Sequence, residues 1–231
     1  MLIDELLTSL FDRQAHLLAG PMATWLDSSR RFTDFVNTHR TKIRTTQDAE
    51  TLHDLQLELE TAYLLLREKS LSLKYEPQHP ELGRSPDFEV SFTTSLTFMV
   101  EVTRMRGILA GQLFSERFSD LVWSKLGQLL AQRSNVLLVG VEATPLSQSD
   151  IHAIMLRIQH RVEANDASIV QRHGFRDRAD FFNRYQRLSG ILVRGVPLQT
   201  GDTIALWDNP QAKYPLPAKA RTALTRSHTL S

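Results

Sequence analysis

Hydrophobic positions in the first part of the chain recur every three to four residues, which is the spacing of amphipathic helices. In segment 47–68, Leu52, Leu55, Leu59 and Leu66 fall on one stripe, so this segment predicts a helix with one buried face. Residues 1–45 carry the same period in two blocks separated by Gly20-Pro21. We therefore expect a helical N-terminal extension ahead of the main domain.

From residue 70 onward the pattern becomes that of an α/β protein. Three short segments with alternating polarity predict strands at 70–75, 87–92 and 96–103. The continuous apolar run NVLLVGV at 135–141 is typical of a strand that is buried on both faces. The other predicted elements are helices at 114–133, 147–163 and 177–187 and a strand at 190–194.

The order of these elements indicates an α/β fold, with a mixed β-sheet flanked by helices. The segment after residue 195 contains four prolines, and we expect it to wrap the surface. Thr94-Ser95 marks the turn of an antiparallel hairpin formed by the second and third strands.

The composition mainly excludes certain classes of protein and of site. The 231 residues include 42% hydrophobic residues, which is enough for one substantial core, and no cysteine, which excludes disulfides and thiolate metal sites. No run approaches the roughly 18 apolar residues of a membrane span, and the N-terminus lacks the features of a signal peptide. These features predict a cytoplasmic protein. GxSxG, P-loop and GxGxxG motifs do not occur in the sequence.

Two carboxylates interrupt the hairpin PDFEVSFTTSLTFMVEVTRMRG, residues 86–107. Asp87 opens its first strand, and Glu101 lies within the apolar second strand. Pairing of the two strands would bring these acids together, and partly buried carboxylates repel unless a proton or cation joins them. Hard cations such as Mg²⁺ prefer such an oxygen environment. The alternative is a strand-edge acid that pairs with Arg104 or Arg106.

A third carboxylate lies on the helix that precedes the hairpin. In the segment LQLELETAYLLL, a rotation of 100° per residue places Glu58 beside the Leu55/Leu59 stripe. The same rotation places Glu60 well away from that stripe. We therefore expect Glu58 to face the sheet and Glu60 to face solvent.

The set formed by Glu58, Pro86-Asp87 and Glu101-Val102-Thr103 resembles the PD-(D/E)xK, restriction-endonuclease-like nuclease superfamily in order and spacing. A helix with inward polar residues, followed directly by NVLLVGV, extends the resemblance, which covers roughly residues 50–141. The segment LWDNPQAKYPLP at 206–217 is also similar to bacterial members, although it implies no chemistry.

The resemblance implies a restriction-endonuclease-like domain over residues 46–231, preceded by the extension over 1–45. It implies that Asp87 and Glu101 hold Mg²⁺ (or Mn²⁺), with the Val102 carbonyl as a further ligand. Glu58 would bind the metal directly or through water. The metal would polarise a DNA phosphodiester and activate the attacking water.

The sequence departs from the superfamily pattern at one position. The lysine expected two residues after the second acid is replaced by Thr103, whose hydroxyl can hold a water but supplies no positive charge. Lys125 is the best substitute, because its helix should cross the same sheet. Gln128 shares the face of Lys125 at i+3 and is an accessory candidate. Both residues are equally compatible with an ordinary solvated helix surface.

Segment 157–194 contains eight arginines against four acids, an asymmetry that fits either a phosphate-binding face or a solvated surface. The leading hypothesis is a metal-dependent nuclease acting on DNA. The competing hypothesis keeps the fold without the chemistry, as a module that binds nucleic acid or a protein partner. A third is a purely structural subunit. An edge strand or the N-terminal helices could mediate a homodimer.

Overall fold

The computed structural model describes residues 48–77, 85–93, 95–106, 113–142, 146–164, 172–196 and 204–229, together with Thr45 and Val170. The predicted helical extension over 1–45 lies outside these residues, apart from Thr45.

The described residues form an α/β fold with a mixed β-sheet flanked by helices, which confirms the predicted fold class. In chain order, the elements are α1 (Ala49–Arg67), β1 (Leu71–Tyr75), β2 (Phe88–Phe92), β3 (Leu96–Met105), α2 (Phe114–Leu126), β4 (Ser134–Val141), α3 (Gln148–Glu163), α4 (Arg178–Tyr185), β5 (Leu188–Gly195), β6 (Ala205–Asp208) and α5 (Ala218–His228). No helix in the described ranges has the length and apolarity needed to cross a membrane.

The sheet has six strands in the order β1-β2-β3-β4-β5-β6, which is also their order along the chain. The pairs β1–β2, β2–β3 and β5–β6 are antiparallel, whereas β3–β4 and β4–β5 are parallel. The parallel strands at the centre are covered on both faces, which explains the unbroken apolar run of β4.

Helices form one layer on each face of the sheet, and each layer has its own core. On the first face, α1 and α5 pack against alternate residues of the strands, among them Val100, Val102 and Leu138. On the second face, α2, α3 and α4 pack against the intervening residues of the strands, among them Leu137 and Val139. The two layers therefore reach the sheet from opposite sides, and α1 and α2 do so close to β3.

Local sequence signals fix where the helices begin. Asp48 caps α1 by accepting a hydrogen bond from the backbone N–H of Thr51 at 2.9 Å. Ser147 and Asp150 form a reciprocal capping box at the start of α3. Asp177 caps α4 through the backbone N–H of Asp180 at 2.8 Å.

The helix predicted over 114–133 ends earlier, at Leu126. Leu129 and Leu130 are buried and continue the helical period in the sequence, but they lie in the turn that leads to β4. Asn135 holds this turn: its side chain donates to the carbonyls of Leu130 and Arg133, both at 2.9 Å, and accepts from the Leu130 N–H. The same amide also donates to the Arg187 carbonyl at 2.9 Å, so these hydrogen bonds replace the last turns of the predicted helix.

The expectation that the segment after residue 195 wraps the surface is wrong. Part of it forms β6, which completes the sheet, and α5, which covers the first face beside α1. Gly190 makes the β5–β6 pairing possible, because a Cβ at this position would lie 2.7 Å from the carbonyl oxygen of Trp207. Pro210, Pro215 and Pro217 lie between β6 and α5 and do not exclude either element.

Candidate active site

The register of the hairpin brings Asp87 and Glu101 to the same place. Phe88 pairs with Val100 across the antiparallel β2–β3 ladder, so Asp87, which directly precedes β2, lies opposite Glu101. The Asp87 Oδ2 accepts a hydrogen bond from the backbone N–H of Val102 at 2.7 Å. Asp87 is half-buried, and Glu101 is only 8% exposed. Two carboxylates therefore meet at the junction of β2 and β3, where water is largely excluded.

The protonation of Asp87 reflects this crowding. Burial raises the pKa of Asp87 well above its usual range, and the charges of Glu101 and Glu58 raise it further. The Val102 N–H and the Lys125 ammonium oppose the rise but do not reverse it. A carboxylate that is buried beside two others favours a bound proton or a bound cation over the bare charge.

Lys125 supplies a positive charge to this group from the last turn of α2. Its Nζ lies 2.7 Å from the Oε1 of Glu101 and also donates to the Oε1 of Gln128 at 3.2 Å. The side chains of Lys125 and Glu101 are 21% and 10% exposed, so the ion pair is largely shielded from solvent. Thr103, the next residue of β3 on the face of Glu101, is half-buried. Gln128 lies beyond the end of α2 but still contacts Lys125.

Glu58 approaches from the opposite layer. It is half-buried on α1, and its Oε2 accepts a hydrogen bond from the Tyr75 hydroxyl at 3.3 Å. Its charge acts on both Asp87 and Tyr75. The structure therefore places Glu58, Asp87, Glu101 and Lys125 around one region, although they come from α1, the start of β2, β3 and α2.

Tyr75 and Glu76 are neighbours of this region that sequence reasoning missed. Tyr75 pairs with Phe88 in the β1–β2 ladder, and its hydroxyl lies 2.7 Å from the Oε1 of Glu76. Burial, followed by the charges of Glu58, Glu76 and Asp87, raises the pKa of Tyr75, so the phenol keeps its proton as a donor. Only the β1–β2 register would have revealed this residue, because nothing in the local sequence distinguishes it.

Glu76 has an unusual backbone conformation for a residue other than glycine. Its φ angle is 40°, in the left-handed region that side chains with a Cβ seldom occupy. A backbone hydrogen bond from its N–H to the Asp87 carbonyl, at 2.9 Å, holds this turn against the start of β2. Strained backbone next to polar clusters is a recurring property of functional sites.

The expectation that Glu60 faces solvent is wrong. Glu60 is fully buried, and its Oε2 lies 2.6 Å from the Nη2 of Arg194 on β5, which is also fully buried. The reason is that α1 packs against the sheet on one side and α5 on another, so more than one stripe of the helix is covered. A single hydrophobic stripe in the sequence cannot report burial against a second partner.

The alternative pairing of Glu101 with nearby arginines does not occur. Arg104 points to the first face of the sheet, as strand alternation predicts, and contacts Glu50, Asp54 and Glu142 there. Arg106 lies beyond the end of β3 and pairs with Asp54 at 2.5 Å. Glu101 lies on the second face, where it pairs with Lys125.

The oxygen donors of the candidate active site are carboxylates and a backbone carbonyl. Among the described residues, no group of three or more His, Cys, Asp or Glu side chains has the arrangement of a metal site. The chemistry of the donors nevertheless suits a hard cation, since Asp87 and Glu101 are carboxylates whose mutual repulsion a divalent ion would relieve. The Val102 N–H donates to Asp87. The Val102 carbonyl is the atom that the resemblance assigns to the metal.

Comparisons with protein-family models and with curated proteins give no match.

Proposed function

We propose that the protein is a metal-dependent phosphodiesterase that cleaves DNA, with its site at the β2–β3 junction. One observation carries the proposal: the Lys125 ammonium lies 2.7 Å from Glu101, whose charge acts on Asp87. Helix α2 thus supplies a positive charge beside the acids, whereas β3 has only Thr103 at the position where the superfamily has its lysine. This arrangement supports the superfamily resemblance, in which two acids and one lysine form the catalytic set.

Each residue has a distinct role in this proposal. Asp87 and Glu101 would hold Mg²⁺ or Mn²⁺, with the Val102 carbonyl as a further ligand and Glu58 bound directly or through water. The ion would polarise the phosphodiester and lower the pKa of a bound water. The Lys125 ammonium lies within hydrogen-bond distance of Glu101, beside the proposed metal position. It would donate to the phosphate oxygens as negative charge develops on them.

Two polar groups support these roles. Gln128 accepts a hydrogen bond from Lys125 at 3.2 Å, which limits the positions that the ammonium can take. The hydroxyl of Thr103 can hold a water on the same face of β3. Neither group needs to change its protonation state during the reaction.

Cleavage of supercoiled plasmid DNA in Mg²⁺ or Mn²⁺ tests the proposal. Wild type is compared with Asp87→Asn and Glu101→Gln, which remove the two central charges at constant size. Glu89→Gln is the matched control, because Glu89 is an acid on β2 that pairs with Lys74 at 3.1 Å. We expect cleavage by wild type and the control only. Equal residual activity in all four proteins would refute the proposal.

The second candidate is a catalytically degenerate domain of the same fold that binds nucleic acid or a protein partner. It is favoured by the contacts that the acids already make, because Lys125 pairs with Glu101 and the Val102 N–H bonds to Asp87. Calorimetry with Mn²⁺ separates the two candidates. Binding at micromolar to millimolar concentrations that Asp87→Asn abolishes supports the nuclease, whereas no heat at millimolar Mn²⁺ supports the degenerate domain.

A further inference from the structure

A groove with mostly polar lining residues lies between α2 and α3 on the second face of the sheet, with a volume of about 260 Å³. It is lined by Ser115, Glu116, Ser119, Arg157, Ile158 and Arg161. We call these residues the α2–α3 groove. None of them belongs to the candidate active site.

The arginines of segment 157–194 have different surroundings in the structure. Arg184 pairs with Asp180 at 2.9 Å, Arg187 donates to a backbone carbonyl, and Arg194 is fully buried. These arginines stabilise the fold, so the segment as a whole is not one phosphate-binding face. Arg157 and Arg161 are exposed, as are Arg172, Arg176 and Arg178, and they lie about one helical turn apart on α3, where they line the groove.

The polar groups of the groove suit a phosphodiester. Arg157 donates from Nη1 to the Ser115 hydroxyl at 3.2 Å, so a guanidinium and a hydroxyl already converge there. The lining contains two arginines and one acid, so cationic side chains outnumber acids there. Guanidinium groups bind the oxygens of an anion with paired hydrogen bonds, which favours an anionic ligand over a neutral one, and the DNA of the proposed function supplies phosphates.

The groove and the candidate active site share helix α2. Ser115 lies in its first turn and Lys125 in its last, and ten residues of helix correspond to about 15 Å. Duplex DNA carries one charge per about 1.7 Å of axis, so a duplex engaged at Lys125 presents further phosphates over that distance.

We infer that the α2–α3 groove is a second contact for the DNA backbone, which binds a phosphate away from the cleaved bond. This inference rests on the proposed DNA substrate but not on cleavage. It assigns Arg157 and Arg161 to binding, and it predicts that they add affinity without sequence preference, as phosphate contacts do.

The test is fluorescence anisotropy with a short labelled DNA duplex, titrated at several salt concentrations in EDTA so that no cleavage occurs. Wild type is compared with Arg157→Ala/Arg161→Ala and with the charge-preserving Arg157→Lys/Arg161→Lys. Arg226→Ala is the control, because Arg226 is an exposed arginine on α5, which covers the opposite face of the sheet. Thermal unfolding of each variant verifies the fold.

We expect the double alanine variant to bind about tenfold more weakly. The slope of log K against log salt should also fall by about 2, because each arginine that neutralises a phosphate contributes about 1 to it. The double lysine variant should keep most of the slope, and the control should stay within about twofold of wild type. Equal binding by the double alanine variant and the control would overturn the inference, as would no binding of the duplex by wild type.

The inference and the proposed function can fail separately. If wild type binds DNA through the arginines but never cleaves it, the inference stands and the nuclease proposal fails. If Asp87→Asn abolishes cleavage while the double alanine variant binds normally, the nuclease proposal stands and the groove has no role in binding.

Discussion

Replacing Lys125 with Met removes the ammonium from the candidate active site and keeps most of the volume of the side chain. In wild type, this ammonium lies 2.7 Å from Glu101, and its charge also lowers the pKa of Asp87. The replacement should therefore weaken the fold, raise the pKa of Asp87 further and stop cleavage, without removing any proposed metal ligand.

The size of the stability effect follows from the geometry of the ion pair. Opposite unit charges at 2.7 Å attract by about 6 kcal/mol at an effective dielectric constant of about 20. Lys125 and Glu101 are only 21% and 10% exposed, so lost hydration offsets most of this attraction. A charge-assisted hydrogen bond contributes about 1.5–3 kcal/mol net, which corresponds to a decrease of about 3–12 °C in Tm.

Lys125→Met should lower the rate of cleavage without weakening the binding of Mn²⁺. Loss of one positively charged donor to a developing oxyanion typically lowers kcat by about 10²–10³-fold. Mn²⁺ should bind at least as tightly to Lys125→Met, because an ammonium next to Glu101 repels a cation. A merely structural role for Lys125 would lower both properties together with the folded fraction.

Urea unfolding, plasmid cleavage and Mn²⁺ calorimetry measure these three effects. Lys74→Met is the matched control, since Lys74 pairs with Glu89 at 3.1 Å but is 75% exposed, and such a surface pair contributes about 0–1 kcal/mol. Cleavage at the wild-type rate by Lys125→Met, or loss of its Mn²⁺ binding, would refute the reasoning.

Three further predictions concern the surroundings of the site. Asp87→Asn should raise the free energy of unfolding at neutral pH by about 0.5–2 kcal/mol while abolishing Mn²⁺ binding, because it removes a carboxylate that other acids repel. Since the folded-state pKa of Asp87 is raised, wild type should lose stability as the pH rises from the unfolded-state to the folded-state pKa, and the variant should not; urea unfolding at several pH values tests this. Tyr75→Phe should weaken Mn²⁺ binding about tenfold in calorimetry at unchanged Tm, because it removes the hydroxyl that bonds to Glu58, and unchanged affinity would contradict this role. Arg194→Met should lower the free energy of unfolding by about 3–5 kcal/mol, because it leaves Glu60 buried without its cation, and Glu60→Leu added to it should restore most of the stability in urea unfolding.

The sequence alone was sufficient where a signal is local and periodic. Strand alternation alone puts Glu101 and Arg104 on opposite faces of β3, and the structure has them there. The run of apolar residues in β4 indicated a strand buried on both faces, and the hairpin pattern indicated that β2 and β3 pair. These predictions succeed because the period of a strand and the register of a hairpin depend on neighbouring residues.

Other features depend on partners that are distant in the chain. Glu60 is buried beside its partner Arg194 of β5, 134 residues later, and α5 packs against another part of α1. β6 is a strand because Gly190 leaves room for it, and Asn135, which holds the turn after α2, also donates to the carbonyl of Arg187, 52 residues later. The sequence could name Lys125 as a candidate but not its distance from Glu101, which the packing of α2 on the sheet decides. Periodicity reports that a side chain is covered or exposed, whereas the identity of its partner is set by how the helices dock, and docking is a property of the whole fold.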